Sequence, residues 1–241
     1  VSLKDKTVVV IGGTSGFGKA TSLKAVGLGA RLVITGRDAA KLQRVVAEFA
    51  SAGHEAAGHV VDAAEVASVA AFFEKVEPFH HLVSMAGGFM GGGFLDADYE
   101  TIRRAVDEKL FANLQIARHA AKKIADGGSM TFTAGSGGRP HNASGAIIGN
   151  DAIRTLVQGL AVELAPKARV NAVAPTWTPT PLWRGMPAAD VLATQKRFSQ
   201  TIPLGRTAEI EEVASAYIFL MQCGFITGQT IVVDGGLTLV S

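Results

Sequence analysis

The chain is poor in the features that mark several functional classes. It has one cysteine, Cys223, in 241 residues, which excludes an internal disulfide framework and fits a reducing compartment. Charged residues make up only 18%, the formal net charge is +2, and the Lys and Arg residues are dispersed. That distribution argues against nucleic acid or an anionic membrane as a partner. No run of about 18 apolar residues is present to span a bilayer. The opening VSLKDKTVVVIGG enters a strand-like run directly, without the basic segment and long apolar core of a signal peptide. A soluble, cytoplasmic protein is the expectation. The paired histidines His80 and His81 fall at the start of a strand, where neighbours point to opposite faces, so they make poor metal co-ligands and no metal is expected. Tyrosine and tryptophan number two each, and the shortage of tyrosine becomes important below.

What is present is apolar material and glycine. Hydrophobic residues make up 48% and glycines number 28, enough to bury a sizeable core and far from the composition of a disordered chain. Short β-branched runs recur: 7–11, 31–35, 56–61, 80–85, 129–133, 169–173 and 230–234. Between them lie amphipathic or Ala-rich segments near 17–28, 38–52, 64–77, 98–125, 146–165 and 209–222. Apolar runs this short, separated by helices, are the pattern of a buried parallel sheet covered on both faces. No linker or low-complexity stretch divides the chain. The expected fold is α/β: one Rossmann-type domain over 1–241, with a doubly wound, mostly parallel sheet of about seven strands. Within it, 176–207 carries the prolines and tryptophans of a lid or substrate loop.

Directly after the first run comes GGTSGFG, with Gly12, Gly16 and Gly18 framing Thr14, Ser15 and Phe17. Glycines between a strand and a helix let backbone N–H groups approach a pyrophosphate at the positive end of the helix. The same residues serve ordinary tight turns. The position, with a ribose-reading site about 20 residues on, makes dinucleotide binding the stronger interpretation. At that second site the sequence is ITGRD. An NAD-selective site places a carboxylate just past the strand, but Gly36 stands there, followed by Arg37. A guanidinium clamps a 2′-phosphate with charge-assisted bonds, so NADP(H) is the expected cofactor.

Over nearly its whole length, from about Leu3, the chain resembles the short-chain dehydrogenase/reductase family. The resemblance rests on the nucleotide loop, SMAG at 84–87 where the family has NNAG, VNAVAPTWTPTPL at 170–182 and EEVASAYIFL…ITGQTIVVDGG at 211–236. It implies adenine contact at Asp62, cofactor contacts at Ala86, Gly87 and Pro175, and Thr180 beside the nicotinamide amide. It also implies a homodimer or homotetramer through the helices near 98–125 and 146–165, acting on a small-molecule substrate. Ser84, Met85 and Thr176 depart from the family pattern.

The same resemblance implies a proton-donating Tyr, a Lys one turn later, a Ser and an Asn. Counting back from LAVELAP at 160–166 puts the Tyr at Ala146 and the Lys at Asn150. The Ser falls within Thr133-Ala134-Gly135-Ser136, and the Asn at Lys109, or at Asn113 if the register slips a turn. Loss of a positioned general acid costs about 10²–10⁴-fold. Lys109, Ser136, His141 and Asn150 are the candidate catalytic residues. Lys109 and Asn150 look like an exchange of the family's Asn and Lys between facing helices. His141 lies in the polar loop SGGRPHNAS and carries an imidazole, a side chain able to donate a proton, while Asn142 and Ser144 are further polar groups there. Trp177, Trp183, Met186, Phe89 and Met90 are candidates for an apolar pocket wall. Three alternatives stand: an NADPH-dependent oxidoreductase with substitute proton chemistry, an enzyme on substrates needing little acid help such as iminium ions, and an inactive NADP(H)-binding regulator.

Overall fold

The computed structural model describes residues 1–240. Seven strands form one parallel sheet in the order β3-β2-β1-β4-β5-β6-β7: β1 (Thr7–Ile11), β2 (Arg31–Gly36), β3 (Ala56–Val60), β4 (Phe79–Ser84), β5 (Ile124–Thr133), β6 (Ala168–Pro175) and β7 (Thr230–Val233). Every adjacent pair is parallel, where the sequence predicted a mostly parallel sheet. The inner strands are continuous apolar runs because helices cover both faces.

Alternate residues of β1 feed two separate cores. Val9 and Ile11 join α3 (Val66–Lys75), α5 (Ala112–Lys123) and α6 (Ser144–Glu163) through Phe72, Phe73, Ile116, Ile153 and Val157. Val8 and Val10 join α1 (Gly16–Gly27), α2 (Ala39–Ser51) and α8 (Ile210–Gln222) through Val26, Leu42, Phe49, Val213 and Tyr217. The strand period of two thus becomes a three-layer sandwich.

Two predicted elements differ from what is found. The segment 98–125 is not one helix: α4 (Tyr99–Val106) passes into a π turn over Asp107–Phe111 before α5 begins. The segment 176–207 is not simply a loop, since it contains a short 3-10 turn over Pro181–Trp183 and α7 (Ala188–Thr201). A four-residue α9 (Leu237–Val240) follows β7.

The order of strands reverses between β1 and β4, and the loops leaving their carboxyl ends diverge there. Such a switch point opens a crevice at the sheet's carboxyl edge. No helix among the described residues is long and apolar enough to cross a membrane.

Candidate functional site

A cleft of about 990 Å³ runs along that edge, walled by the loops after β1 to β6. At one end the chain leaves β1 through Gly12 (φ +83°) and Gly16 (φ +52°), conformations that side chains rarely adopt. A Cβ on Gly18 would lie 2.2 Å from the Gly12 carbonyl oxygen, so α1 can start against this turn only with glycine there. Ser15 is the N-cap of α1 but its side chain caps nothing, which leaves first-turn N–H groups available to an anion. The loop is tied to β2 by Gly12 N–H donating to Thr35 Oγ1 (3.3 Å) and Gly13 N–H to the Thr35 carbonyl (3.0 Å).

Beyond β2, a Cβ on Gly36 would lie 2.6 Å from Thr14 Cγ2. Arg37 and Lys41 line the cleft beside it, and neither is in an ion pair among the described residues. The neighbouring Asp38 is turned to the start of α2, accepting from Lys41 N–H at 2.9 Å. That backbone hydrogen bond holds its carboxyl below the usual aspartate range. Thr14, Ser15, Phe17, Asp62, Ala86, Gly87, Pro175 and Thr180 also face this cleft. The cradle fits a dinucleotide: glycines where a side chain would block it, helix N–H groups without a cap, and basic groups without partners.

At the other end, α6 presents Ala146 and, one turn on, Asn150 to the cleft. Asn150 lies over Gly135, where a Cβ would be 2.6 Å from its Nδ2. Opposite them the π turn delivers Lys109. A π turn is one residue wider than an α turn and commonly appears at functional sites. Lys109 is 8% exposed, and its Nζ donates only to the Ala86 carbonyl, at 3.5 Å. Burial pushes its pKa down from 10.5 to about 8. Its backbone is held from below: Asn113 Nδ2 donates to the Lys109 carbonyl (2.7 Å) and to that of Ala86 (3.3 Å), and Ser84 Oγ donates to Asn113 Oδ1 (2.6 Å). Lys109 faces the cleft, and Asn113 is fully buried beneath it.

The remaining candidates are placed less centrally. Ser136 lines the cleft, its hydroxyl donating to the Ala174 carbonyl at 3.3 Å. His141 is exposed and is not part of the cleft wall. Its neighbour Asn142 does line the cleft, and the loop is tied to Gly92, whose N–H donates to the Asn142 carbonyl at 2.9 Å. Ser144 is buried against the same glycine, its hydroxyl donating to the Gly92 carbonyl at 3.2 Å. Thr133 Oγ1 lies 2.8 Å from both the Ser84 carbonyl and the Tyr217 hydroxyl. Tyr217 itself is fully buried in the core, with burial raising its pKa, while Tyr99 is 73% exposed on α4. Neither tyrosine is in the cleft wall. His80 accepts from Thr7 N–H (3.1 Å) and His81 lies 2.8 Å from Ser129 Oγ, one on each side of β4.

The apolar wall is an aromatic series. Phe89 meets Trp183 edge-on (4.9 Å), Trp183 stacks with Trp177 (5.7 Å), and Trp177 stacks with Phe198 (5.6 Å). Met186 lines the same wall. Met90 does not: it is buried behind, its sulfur packed against Gly145. Phe198, Arg197 and Thr194 escaped sequence reasoning. Their i, i+3, i+4 spacing on α7 was the available signal, masked by the prolines upstream.

Residues 12–238 match the family model described as enoyl-(acyl carrier protein) reductase. The chain belongs to the short-chain dehydrogenase/reductase family. A 2,3-dihydroxy-2,3-dihydro-p-cumate dehydrogenase of Pseudomonas putida is 32% identical, covering 98% of this chain and 96% of that protein. A short-chain type dehydrogenase/reductase from Mycobacterium ulcerans superposes with a TM-score of 0.89 at 29% identity, covering 100% of this chain and 92% of that one. A small-chain dehydrogenase solved in complex with NADPH gives a TM-score of 0.82 at 30% identity, covering 98% and 100%. The family members are dehydrogenases and reductases, and this chain is an oxidoreductase of that type.

Proposed function

We propose that this oxidoreductase uses NADP(H) and moves its proton without a tyrosine–lysine pair, acting on imines or activated carbonyls. The observation that carries this reading is a single cleft joining a glycine cradle at one end to Ala146, Asn150 and a buried, unpaired lysine at the other. NADP(H) preference is supported by Arg37 and Lys41 beside a glycine where an NAD site would have a carboxylate, and by the NADPH bound to one relative. When bound, the nicotinamide would supply or accept a hydride. The backbone at Gly12, Thr14, Ser15, Gly16, Phe17 and Gly18 would hold the pyrophosphate, and Arg37 the 2′-phosphate. Asp62 would meet the adenine, and Ala86, Gly87, Pro175 and Thr180 the nicotinamide end.

The chain's own groups then set the substrate. Ala146 has no proton to give, and the Asn150 amide donates hydrogen bonds but no proton at neutral pH. The Ser136 hydroxyl and the Asn150 amide can orient a substrate oxygen or nitrogen. The aromatic series of Trp177, Trp183, Phe198 and Phe89 shields the reacting carbon from water and fits a flat or apolar substrate. An iminium ion is already positive and an activated dicarbonyl yields a weakly basic oxyanion, so both accept hydride with little acid help.

The second reading, an inactive NADP(H)-binding regulator, is favoured by Ala146 and Asn150 taken alone. A steady-state panel with NADPH separates the two. Iminium and activated dicarbonyl substrates are expected to turn over faster than a plain ketone. Tight NADPH binding with no turnover of any substrate favours the regulator, and plain-ketone reduction at about 10 s⁻¹ overturns the proton chemistry proposed here. Assembly as a homodimer or homotetramer is part of the same reading. It is supported by exposed Phe111 (55%) beside α5 and Val162 (79%) on α6, and sedimentation velocity checks it.

A further inference from the structure

We propose that Lys109 is the proton donor of this site, supplying from the π turn what Ala146 and Asn150 lack on α6. The inference rests on the oxidoreductase reading above and assigns one residue to the missing step.

Four observations lead there. First, the ammonium has three N–H donors, and its one hydrogen bond is a long contact of 3.5 Å to a carbonyl. Second, no group among the described residues neutralises it. Glu108 is on the same turn and faces the cleft, and on α4 Arg103 is paired with Asp107 (3.6 Å). On α6 Arg154 is paired with Asp151 (3.6 Å), and across the cleft lie Arg184 and Arg197. None of these is within ion-pair distance of Nζ. A buried, unpaired lysine is costly to the fold, so its presence in a cleft calls for a functional account.

Third, the path of the side chain is cleared by glycine on both sides. A Cβ on Gly149 would lie 2.8 Å from Lys109 Cβ, and one on Gly87 would lie 2.4 Å from Cδ and 3.0 Å from Nζ. Fourth, the Ser84–Asn113 network fixes the backbone from which the side chain springs. Of the cleft's hydroxyls, Ser136 donates to the Ala174 carbonyl and Thr133 to that of Ser84. Thr176 Oγ1 is buried without a partner among the described residues, but an alkyl hydroxyl is a far weaker acid than an ammonium, and His141 stands outside.

In the reducing direction a dihydronicotinamide is the reductant. The carbonyl carbon gains the hydride and a C–H bond forms. The C=O π pair moves to oxygen, an O–H bond forms as one N–H bond of Lys109 breaks, and the neutral amine regains a proton from water. In oxidation the neutral amine takes the hydroxyl proton as the hydride leaves for oxidised nicotinamide. Burial leaves both forms of the amine accessible near neutrality, as a group that gives and takes a proton requires.

The test compares wild type with Lys109→Met and Lys109→Gln in single-turnover reduction of a plain ketone, which depends on an acid, and of a preformed iminium ion, from about pH 6 to about pH 10. NADPH affinity is measured separately on each protein. Ketone reduction is expected to fall about 10²–10³-fold in both variants, while iminium reduction and NADPH affinity stay within about threefold. The alkaline fall of the wild-type ketone rate, where the ammonium is lost, is expected to vanish in the variants. The inference is overturned by unchanged ketone rates, by equal losses on ketone and iminium, or by NADPH binding weakened as much as the rate. Wild type that reduces neither substrate overturns the oxidoreductase reading itself. An NMR titration of ε-¹³C-lysine wild type adds a readout independent of turnover and of how the variants fold. One lysine should titrate well below the rest, and its absence overturns the inference.

Discussion

Gly149 and Lys109 share one space: a Cβ on the glycine would lie 2.8 Å from the lysine Cβ and 2.9 Å from its Cγ. The two belong to facing elements, so a single methyl group on α6 is enough to dislodge a side chain rooted in the π turn.

Gly149→Ala is therefore expected to cost about 1–3 kcal/mol by overpacking, against the helix-propensity gain of roughly 1 kcal/mol that alanine brings. Ketone reduction should fall at least about tenfold as Lys109 shifts. Gly159→Ala on the same helix meets nothing within 4 Å, and should raise the melting temperature without touching activity. Melting curves and rates on both variants decide it.

Lys109 also makes stability depend on pH. Its pKa is lowered from 10.5 to about 8, so between those values the unfolded chain binds more protons and stability rises with pH. Below about pH 8 the burden on the fold is complete, up to about 3 kcal/mol. Lys109→Met should stabilise the protein at pH 7, and its advantage should shrink as pH rises from about 8 toward 10.5. Denaturant titrations along that range measure it, and an advantage that grows with pH contradicts the assignment.

For the cofactor, Arg37→Ala is expected to weaken NADPH by roughly 1.5–3 kcal/mol while barely changing NADH, because only the 2′-phosphate is lost as a partner. Calorimetric titration with both nucleotides reads this directly. Equal weakening of the two rules out the proposed contact.

Rebuilding the family's pair requires three changes rather than two. Ala146→Tyr with Asn150→Lys puts a second ammonium into the cavity that Lys109 already occupies, and like charges there oppose each other. Adding Lys109→Asn relieves that opposition. The triple variant should reduce simple ketones faster than the double one, non-additively. Gly135→Ser is blocked in the wild-type background, since its Cβ would come 2.6 Å from the Asn150 amide nitrogen, so it belongs only with Asn150→Lys.

The strands were legible because a buried parallel sheet writes itself as short β-branched runs, and TVVVI at 7–11 falls exactly on β1. β5 was read five residues short because its first half, IADGG, lacks that signature. The π turn left no compositional mark: a shift in hydrogen-bond partner changes no residue type. Its only trace is Asn113, a polar residue on an otherwise apolar face, held by bonds to the Lys109 and Ala86 carbonyls. The residues named for the cofactor all line the cleft, because glycine spacing and strand ends fix backbone position. His141 could not be placed the same way. Loop direction is set by long-range contacts such as Gly92 with Asn142, which no local pattern encodes.

Both tryptophans of the chain, Trp177 and Trp183, stand in the cleft wall 5.7 Å apart. Indole emission from this protein therefore comes from one place, and it is the place where a ligand would arrive. Reduced nicotinamide absorbs in the region where indole emits, so its entry should dim the tryptophan signal and light its own by energy transfer, while oxidised nicotinamide should dim without lighting. The unlabelled protein carries its own optical gauge of occupancy and redox state, and motion of the 176–207 segment should register in the same signal.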